Sequence, residues 1–470
     1  MSFRRAFIAA LTGLALISTL VLPSASAIDQ SWKINKKNFK KRTAGYLSKS
    51  SVLPGSDVSA YVTCSSSTFT LELFRMGFYG GAGAATQWKS ENLPCAHQVV
   101  PTRTSTFDPI EAHWVNPITI STSDREPGFY LVKIVAADKT AAYMPLVIRS
   151  PSVEGAVVMS MPSLTSLAYN KWGGASAYTA EGGFENRARN LSFNLPSSQG
   201  FGSGLYLNYI HPLLTLASSM NLNLAYVSDV DVATIPNLLH GARAYVSGGH
   251  DEYWTQSERD SVIKARSEGT NLLFFGANVA YWRARLSGGS STTNPSMAIY
   301  KSQISDPNKS ALTIRFRDAG SHEETLTGLK YRCFPATGDF QVKDSSSFIF
   351  ESTTATAGAK YPGLIGPEVD AFNGVKFTPG QSSIIASSPV ECGYKPTKPA
   401  HSEMLYSVLP SNGAATISVG TMNWVTRGLS KEVPQRSWEL AIQMTKNILQ
   451  AASEGPVGVT HPIEASARAK

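Results

Sequence analysis

The chain has 470 residues, of which 42% are hydrophobic and 16% are charged, a composition typical of two or three globular domains and not of a largely disordered chain. Its 37 glycines and 26 prolines favour sheets and long connections over a helical bundle. The formal net charge is +8 at pH 7, but no basic patch alternates with aromatic residues, so we expect no nucleic-acid partner.

The N-terminus has the pattern of a secretory signal peptide over residues 1–27. Arg4 and Arg5 form a positive n-region, residues 6–22 form an apolar core, and residues 25–27 (ASA) form a small-residue cleavage site. The apolar core is shorter than a typical membrane span, and no later run approaches the roughly 20 apolar residues that a span needs. We therefore predict cleavage after Ala27 and a secreted, extracellular protein. An uncleaved anchor is the alternative.

A basic segment follows and is predicted to be a linker over residues 28–44. The run KINKKNFKKR at 33–42 carries much of the positive charge, and such a run is typical of a solvated tail. Weak association with an anionic cell-wall polymer is the alternative function of this segment.

The four cysteines are Cys64, Cys95, Cys333 and Cys392, and they fit an oxidising compartment. Four cysteines permit three pairings; their spacing into two distant pairs favours Cys64–Cys95 and Cys333–Cys392. None lies in a CxxC or Cys/His pattern, so we expect structural disulfides and no redox or metal role.

Residues 45–150 predict an all-β domain. Short strand-like runs recur along it, namely VSAYVTC, FTLELFRMGF, NPITIST, GFYLVKIVA and AAYMPLVI. Turn signals at residues 54–56 and 124–128 separate them, and no helix-length amphipathic segment interrupts them. The pattern favours an immunoglobulin-like β-sandwich.

Residues 151–452 predict an α/β domain, because strands alternate with helical segments. Strands are predicted at 155–160 and 221–228, and helices are predicted around 205–220 and 232–240. The alternation favours a parallel sheet with flavodoxin-like layering, similar to class I glutamine amidotransferases.

The rest of this domain has other patterns. Short alternating runs predict an antiparallel β insertion at about 300–415, and an amphipathic helix is predicted at 437–451. Residues 453–470 are predicted to be a flexible tail.

The most informative stretch is Gly241–Leu286. Residues 242–247 predict a buried strand, after which Gly248 and Gly249 predict a tight turn. Thr255 and Glu258 form a capping box that predicts a helix from Gln256 to the C′ residue Gly269. A second buried strand is predicted at 271–276. The two predicted strands and the helix between them form one βαβ unit.

Parallel strands of a βαβ unit end at the same edge of the sheet, where ligands bind in open α/β folds. His250 and Glu252 follow the first strand and Asn278 follows the second, so we expect these three side chains to converge. The cysteines are predicted to be paired, which excludes covalent cysteine catalysis, and the G-x-S-x-G serine elbow is absent too. His250 with Asp251 or Glu252 remains open as a metal-free general base.

The motifs GGHDEYW and FFGANVAYWR resemble the C-terminal domain of the N,N-dimethylformamidase large (beta) subunit family. Three further blocks resemble the same family: LFRMGFYGGAGA at 73–84, SLAYNKWGGASAY at 166–178 and GTMNWVTRGL at 420–429. Together these blocks span most of the chain after the predicted signal peptide.

The resemblance implies a mononuclear iron amidohydrolase in which two tyrosines and one glutamate hold the metal. Glu252 matches the glutamate ligand, His250 the neighbouring histidine and Asn278 the pocket asparagine. Tyr169 matches the first tyrosine ligand and Tyr178 is the candidate for the second. The segment between these tyrosines is shorter here than in the amidase, so Tyr206 and Tyr209 are alternatives for the second ligand.

Each of these residues also has a structural interpretation. Buried tyrosines are commonly core residues with a bonded hydroxyl, and Glu252 could be a carboxylate favoured at a helix N-terminus. His250 could be a structural hydrogen-bonding group, and Asn278 could organise a turn. The carboxylate pair Glu368 and Asp370 in GPEVDA is expected to be solvent-exposed.

The leading hypothesis is a secreted, iron-dependent hydrolase of non-peptide linear amides or related C–N bonds, acting on a small-molecule amide. A hard Lewis-acidic ion suits this chemistry because a tertiary amide is a poor electrophile with a poor leaving group. The amidase works with a small partner subunit, and no partner subunit is evident in this sequence. The alternative is a non-catalytic secreted protein that keeps the fold and binds a cell surface or wall.

Overall fold

The computed structural model describes residues 29–99, 103, 105–290, 293–374 and 380–469. The predicted signal peptide lies outside these ranges. Within them, no helix combines the length and the apolar character that crossing a membrane requires.

The N-terminal region consists of two β-sheets. A three-stranded antiparallel sheet has the order β1-β3-β7, and a six-stranded sheet has the order β2-β9-β8-β4-β5 with β6 also on β4. Only β2 and β9 are parallel in the second sheet. The strands are β1 Ala44–Leu47, β2 Ser51–Val52, β3 Val58–Thr63, β4 Thr68–Met76, β5 Ala84–Lys89, β6 Leu93–Pro94, β7 Ile118–Ile120, β8 Gly128–Ala136 and β9 Ala141–Ile148.

Strand β8 of the six-stranded sheet is buried on both faces. In β8, Tyr130 and Val132 pack into a core shared with the three-stranded sheet, whereas Phe129 and Leu131 pack against the remainder of the chain. Burial on both faces explains why β8 reads as a continuous apolar run instead of an alternating one.

The centre of the molecule is a nine-stranded mixed sheet. Its order is β12-β10-β13-β15-β24-β23-β22-β19-β20, and the first five strands are parallel. The strands are β10 Val157–Met161, β12 Leu224–Ser228, β13 Ala244–His250, β15 Asn271–Ala277, β19 Ala336–Gln341, β20 Lys360–Ile365, β22 Gln381–Cys392, β23 Lys398–Val408 and β24 Ala415–Ser418.

The antiparallel strands predicted as an insertion therefore continue the parallel sheet. β23 pairs with β24 from Leu405↔Ser418 to Val408↔Ala415, and β22 pairs with β23 along its length. The prediction of antiparallel pairing was right, but the sequence did not reveal that one hydrogen-bonded sheet holds both parts.

Two smaller sheets and eight α-helices complete the described part of the chain. A four-stranded sheet has the order β11-β17-β16-β14, and a two-stranded sheet pairs β18 with β21. The strands are β11 Asn190–Ser192, β14 Tyr253–Thr255, β16 Trp282–Ser287, β17 Ser296–Ala298, β18 Lys330–Cys333 and β21 Val369–Ala371. The helices are α1 Ser163–Ala168, α2 Tyr206–Tyr209, α3 His211–Ser218, α4 Asp229–Thr234, α5 Gln256–Ser267, α6 Glu324–Thr327, α7 Gln435–Glu454 and α8 Val457–Thr460.

Several local predictions differ from the structure. The helix expected at 205–220 is broken into α2 and α3, and the helix expected at 232–240 is α4, which begins at Asp229 and ends at Thr234. The tail predicted to be flexible from 453 contains α8, whose Val457 side chain is buried in the main core.

The basic segment is not a freely solvated tail. Trp32 and Ile34 are buried in the main core, and Trp32 Nε1 donates to the carbonyl of Ala82 at 2.8 Å. The segment exposes its lysines while its apolar side chains fix it to the fold.

Both predicted disulfides are confirmed. Cys64–Cys95 lies within the N-terminal region and Cys333–Cys392 joins β18 to β22, each with a Cα–Cα distance of 5.9 Å. The two bridges indicate an oxidising or extracellular compartment.

Candidate functional site

The site lies at the carboxyl ends of three neighbouring parallel strands. β10 leads into α1 and then Tyr169, β13 ends at His250, and β15 is followed directly by Asn278. His250 pairs in register with Ala277. The expected convergence of residues after β13 and β15 is therefore built into the register of the sheet.

The pair of glycines at 248–249 does not form the predicted turn after the strand. β13 runs through both residues to His250, and Gly249 has a φ of 60°. A Cβ on the opposing Gly276 would lie 2.0 Å from the Gly249 carbonyl oxygen. The glycines thus permit a close approach of β13 and β15 directly below the site.

Glu252 is the centre of the site. Tyr169 donates its hydroxyl proton to Glu252 Oε2 at 2.6 Å, and the Tyr178 hydroxyl donates to the other carboxylate oxygen, Oε1. The two phenol rings lie 5.0 Å apart between centroids. Two phenol oxygens and both carboxylate oxygens therefore meet at one point, and Tyr206 and Tyr209 are not needed to supply a second tyrosine.

His250 contacts the same group. Its Nε2 lies 3.0 Å from the Tyr169 hydroxyl and 3.5 Å from Glu252 Oε2. Burial alone would lower the pKa of His250, but the contact with Glu252 and the charges of Glu368 and Glu252 raise it. Burial likewise opposes ionisation of Glu252, yet contact with His250 and the charge of Lys301 lower the pKa of this carboxyl. Both pKa shifts favour the charged forms of the two groups, an imidazolium and a carboxylate.

Both tyrosines are protonated in the absence of a metal. Burial raises the pKa of each phenol, and the charge of Glu252 raises it further. Only a strong positive charge between these oxygens would turn the phenols into phenolates.

Buried hydrogen bonds hold α1, and with it Tyr169, against the segment that carries Glu252. Asp229 Oδ2 accepts from the backbone N–H of Leu164 at 2.7 Å, and the Thr165 hydroxyl oxygen accepts from the N–H of Tyr253 at 3.0 Å. These two bonds tie the short helix to α4 and to the strand that follows Glu252.

Lys301 is a site residue that the sequence analysis missed. Its Nζ lies 3.2 Å from the centroid of the Tyr178 ring and 4.8 Å from that of Trp282. Burial lowers the pKa of Lys301 to about 7, against the opposing charge of Glu252. Trp282 donates from Nε1 to the Tyr178 hydroxyl at 3.2 Å.

Glu368 and Asp370 are buried, which contradicts the expectation of solvent exposure. They are 9% and 4% exposed. Glu368 Oε2 lies 4.0 Å from His250 Nδ1, and Asp370 accepts from the N–H of Asn278 at 2.9 Å. Burial is the main cause that raises the pKa of each carboxyl to about 7.

Asn278 is connected to the site by the carboxylate pair Glu368 and Asp370. It adopts a φ of 59°, a conformation that asparagine tolerates better than most residues, and its Oδ1 is buried without a hydrogen-bond partner among the described residues. The same holds for His250 Nδ1 and Glu368 Oε2. These three atoms indicate where a polar ligand would be accommodated.

The remaining candidates lie apart from Glu252. Tyr209 stacks near the His250 ring, with centroids 5.9 Å apart, but its hydroxyl contacts Met422 Sδ at 3.5 Å. Tyr206 packs in the main core near Phe129. Asp251, one of the two carboxylates left open as a partner of His250 in a metal-free general base, accepts from the Ser247 hydroxyl at 2.7 Å.

The donor set decides which cofactor the site would suit. Among the described residues, no group of three or more His, Cys, Asp or Glu side chains could hold a metal ion, so any metal here depends on the tyrosines. The oxygens of Tyr169, Tyr178 and Glu252 form a hard, anionic set once the phenols lose their protons, which suits a hard Lewis-acidic ion such as iron. A cavity of about 90 Å³ lies behind α1, lined in part by Met161, Ser166 and Asn170, and it does not include these three residues.

The missed residues had weak signals in the sequence. Lys301 follows a short strand and belongs to no motif, and Glu368 and Asp370 lie in a Gly-Pro turn that suggests exposure. The one usable signal was the presence of two acidic residues, two positions apart, directly after this Gly-Pro pair.

The chain belongs to the family described as N,N-dimethylformamidase beta subunit-like, C-terminal, which it matches over residues 70–435. The predicted family is confirmed. No curated protein matches the chain in sequence. Among solved structures, a Paenibacillus sp. cycloisomaltooligosaccharide glucanotransferase complexed with cycloisomaltoheptaose aligns with 9% identity and a TM-score of 0.17, over 56% of this chain and 34% of that chain. This chain thus spans about a third of that enzyme, and so weak a likeness carries no argument about function.

Proposed function

We propose that this protein is a secreted, iron-dependent hydrolase of small linear amides or related C–N bonds. The observation that carries the proposal is the convergence of Tyr169 and Tyr178 on the two oxygens of Glu252, beside His250. Membership of a family named after N,N-dimethylformamidase supports the amide as the substrate class.

The proposal includes the finer architecture. The two N-terminal sheets would be an immunoglobulin-like sandwich over about 45–150, and the parallel strands with their helices would be a flavodoxin-like layer within 151–452. Residues 1–27 would be a signal peptide that directs secretion, in agreement with the two disulfides.

In this proposal Tyr169, Tyr178 and Glu252 hold the iron. Bound iron would supply a Lewis acid that polarises the amide carbonyl. The reaction adds water across the C–N bond and yields a carboxylic acid and an amine.

The surrounding residues handle protons and exclude water. His250 is buried between Glu252 and Glu368, where an imidazolium can give a proton to the departing amine nitrogen and the resulting imidazole can take one from the attacking water. Asn278, fixed by Asp370, has a free side-chain oxygen for orienting an N–H or a water in the pocket. Trp282 and Lys301 cover the outer side of Tyr178.

The test is an assay of amine release from a panel of small amides, including N,N-dimethylformamide, by protein loaded with ferrous iron. We expect turnover of at least one amide, and we expect His250→Ala to lower kcat by about 100-fold or more because a positioned acid–base group contributes that much. His240→Ala is the matched control, since this histidine is exposed on the far end of the sheet and pairs only with Glu268 among the described residues. Stoichiometric iron without turnover of any amide would contradict hydrolysis and favour the non-catalytic binding protein.

A further inference from the structure

Three arginines lie together beside the candidate site, and we call them the arginine cluster: Arg103, Arg187 and Arg189. The side chains of Arg187 and Arg189 are only 4% and 9% exposed. Both follow Tyr178 on the same long connection that leads to β11. Burial of several guanidinium groups in one place is costly without compensating negative charge.

The hydrogen bonds of the cluster go to backbone carbonyls. Arg187 donates to Phe184 and to Tyr300 at 3.0 and 2.8 Å, and Arg103 donates to Asn186 at 2.6 Å. Each arginine also keeps a buried N–H group without an acceptor in the described part of the chain: Arg103 Nη1, Arg187 Nε and Arg189 Nε. The cluster is therefore held rigidly, with donors left over.

The charge of the cluster is poorly compensated. Glu185 Oε2 lies 3.6 Å from Arg187 and 3.7 Å from Arg189, beyond hydrogen-bond distance, and the Glu185 side chain is 82% exposed. Burial and the neighbouring charge of Arg189 lower the pKa of both Arg103 and Arg187. An anion that replaced the loose carboxylate of Glu185 would relieve this repulsion.

The cluster presents planar edges to such an anion. Phe184 stacks on the Arg187 guanidinium at 4.0 Å, and Phe107 lies 5.2 Å from that of Arg189. Stacking on a ring face leaves the edge of the Arg189 guanidinium that carries Nε, an atom without an acceptor in the described part of the chain, free for two-point contact with a carboxylate. Both phenylalanines are themselves solvent-exposed, so the cluster adjoins the surface.

The cluster also adjoins the site. The carbonyl that Arg187 contacts belongs to Tyr300, and the next residue, Lys301, covers the ring of Tyr178. A ligand bound at the cluster would therefore extend toward the metal-ligand tyrosine along Tyr300 and Lys301.

We propose that Arg103, Arg187 and Arg189 form an anion-binding subsite, and that the natural substrate is an amide that carries a carboxylate. The substrate class rests on the proposed amide hydrolysis, whereas anion binding does not. The carboxylate would dock between the guanidinium edges in place of Glu185 and hold the amide group over Tyr178 and Glu252.

The experiment compares N-formylglycine with its neutral analogue N-formylglycinamide, both as substrates and as ligands in calorimetry. In the wild-type protein we expect kcat/KM and affinity to favour N-formylglycine. Arg189→Gln should reduce this preference about tenfold or more, since a hydrogen bond to a charged group is lost. Arg243→Gln, an exposed arginine elsewhere, should leave it unchanged.

Glu185→Gln keeps the proposal testable if Arg189→Gln does not fold, because Glu185 is exposed and its replacement removes a competing carboxylate. We expect it to raise the preference for N-formylglycine several-fold. Equal hydrolysis of both compounds, unaffected by Arg189→Gln or Glu185→Gln, would overturn the subsite and leave the hydrolase intact. Arg189-dependent binding of N-formylglycine without any hydrolysis would support the subsite and contradict the hydrolase. Binding of neither compound, or binding of N-formylglycine that no variant changes, would overturn the subsite.

Discussion

The N-terminal core and the centre of the site at the end of the parallel sheet are both buried but differ in chemistry. Leu71, Leu73 and Val132 form an apolar core between the two N-terminal sheets. At the site the fully buried residues are ionisable, with His250 and Glu252 at its centre. Apolar burial stabilises a fold, whereas burial of a charge opposes folding unless it is paired. The buried apolar residues therefore stabilise the fold. The buried ionisable residues of the site oppose folding, and a function explains why they are there.

Loss of an apolar contact in the N-terminal core should lower the stability of the protein without changing the chemistry of the site. Leu73→Ala removes a fully buried side chain from β4, and we expect the free energy of unfolding to fall by about 3 kcal/mol. Amide hydrolysis and iron content per folded molecule should stay at wild-type values. Chemical denaturation followed by fluorescence, with the folded fraction assayed in parallel, measures both.

Leu53→Ala is the matched control, because Leu53 is exposed in the same region and should change stability by less than about 0.5 kcal/mol. A loss of activity in folded Leu73→Ala would show that the two regions are coupled and contradict the separation drawn here.

Neutralising a buried carboxyl near the site should stabilise the protein at neutral pH. The pKa of Asp370 is raised by burial to about 7 in the folded protein, above its value in the unfolded chain. Its contribution is therefore most favourable below pH of about 4 and is lost as the pH rises to about 7. Asp370→Asn removes this dependence while one side-chain oxygen still accepts from Asn278, so we expect the variant to gain about 1–2 kcal/mol over wild type as the pH rises from 4 to 8.

Thermal unfolding of both proteins across that pH range measures the difference, and Asp57→Asn, an exposed carboxylate in the N-terminal region, should show no such trend. A difference in the opposite direction, larger at acid pH, would mean that Asp370 is ionised and paired in the folded protein.

The local signals of the sequence predicted the central unit of the fold well. The capping box of Thr255 and Glu258 is present in full at the start of α5, and Gly269 has the positive φ expected of a C′ residue. Register between parallel strands then follows from topology, which is why the sequence alone predicted that His250, Glu252 and Asn278 lie near one another. The tyrosines were found through the family motif alone.

What the sequence could not supply depends on contacts between distant segments. Lys301 contacts the ring of Tyr178, which lies 123 positions earlier in the chain. Glu368, which directly precedes β21 of the two-stranded sheet, lies close to His250 at the end of β13. Neither Lys301 nor Glu368 lies in a recognisable sequence motif, because the burial of a polar side chain depends on which distant segments pack against it. The glycine pair at 248–249 was predicted to form a turn. Glycine is favoured both where the backbone needs a positive φ and where two strands approach closely, so the residue type alone did not distinguish the two.

The most direct test of the tyrosine–glutamate site is the metal content of the purified mature protein after loading with ferrous iron and oxidation by air to the ferric state, measured together with its visible absorption. We expect about one iron per chain and a phenolate-to-iron absorption band. Both should be lost in Glu252→Ala, and the band should weaken or shift in Tyr169→Phe. Tyr394→Phe, an exposed tyrosine far from Glu252 in sequence, should retain both. A wild-type protein that binds no iron, or iron whose absorption is the same in Tyr169→Phe, would contradict the tyrosine–glutamate site.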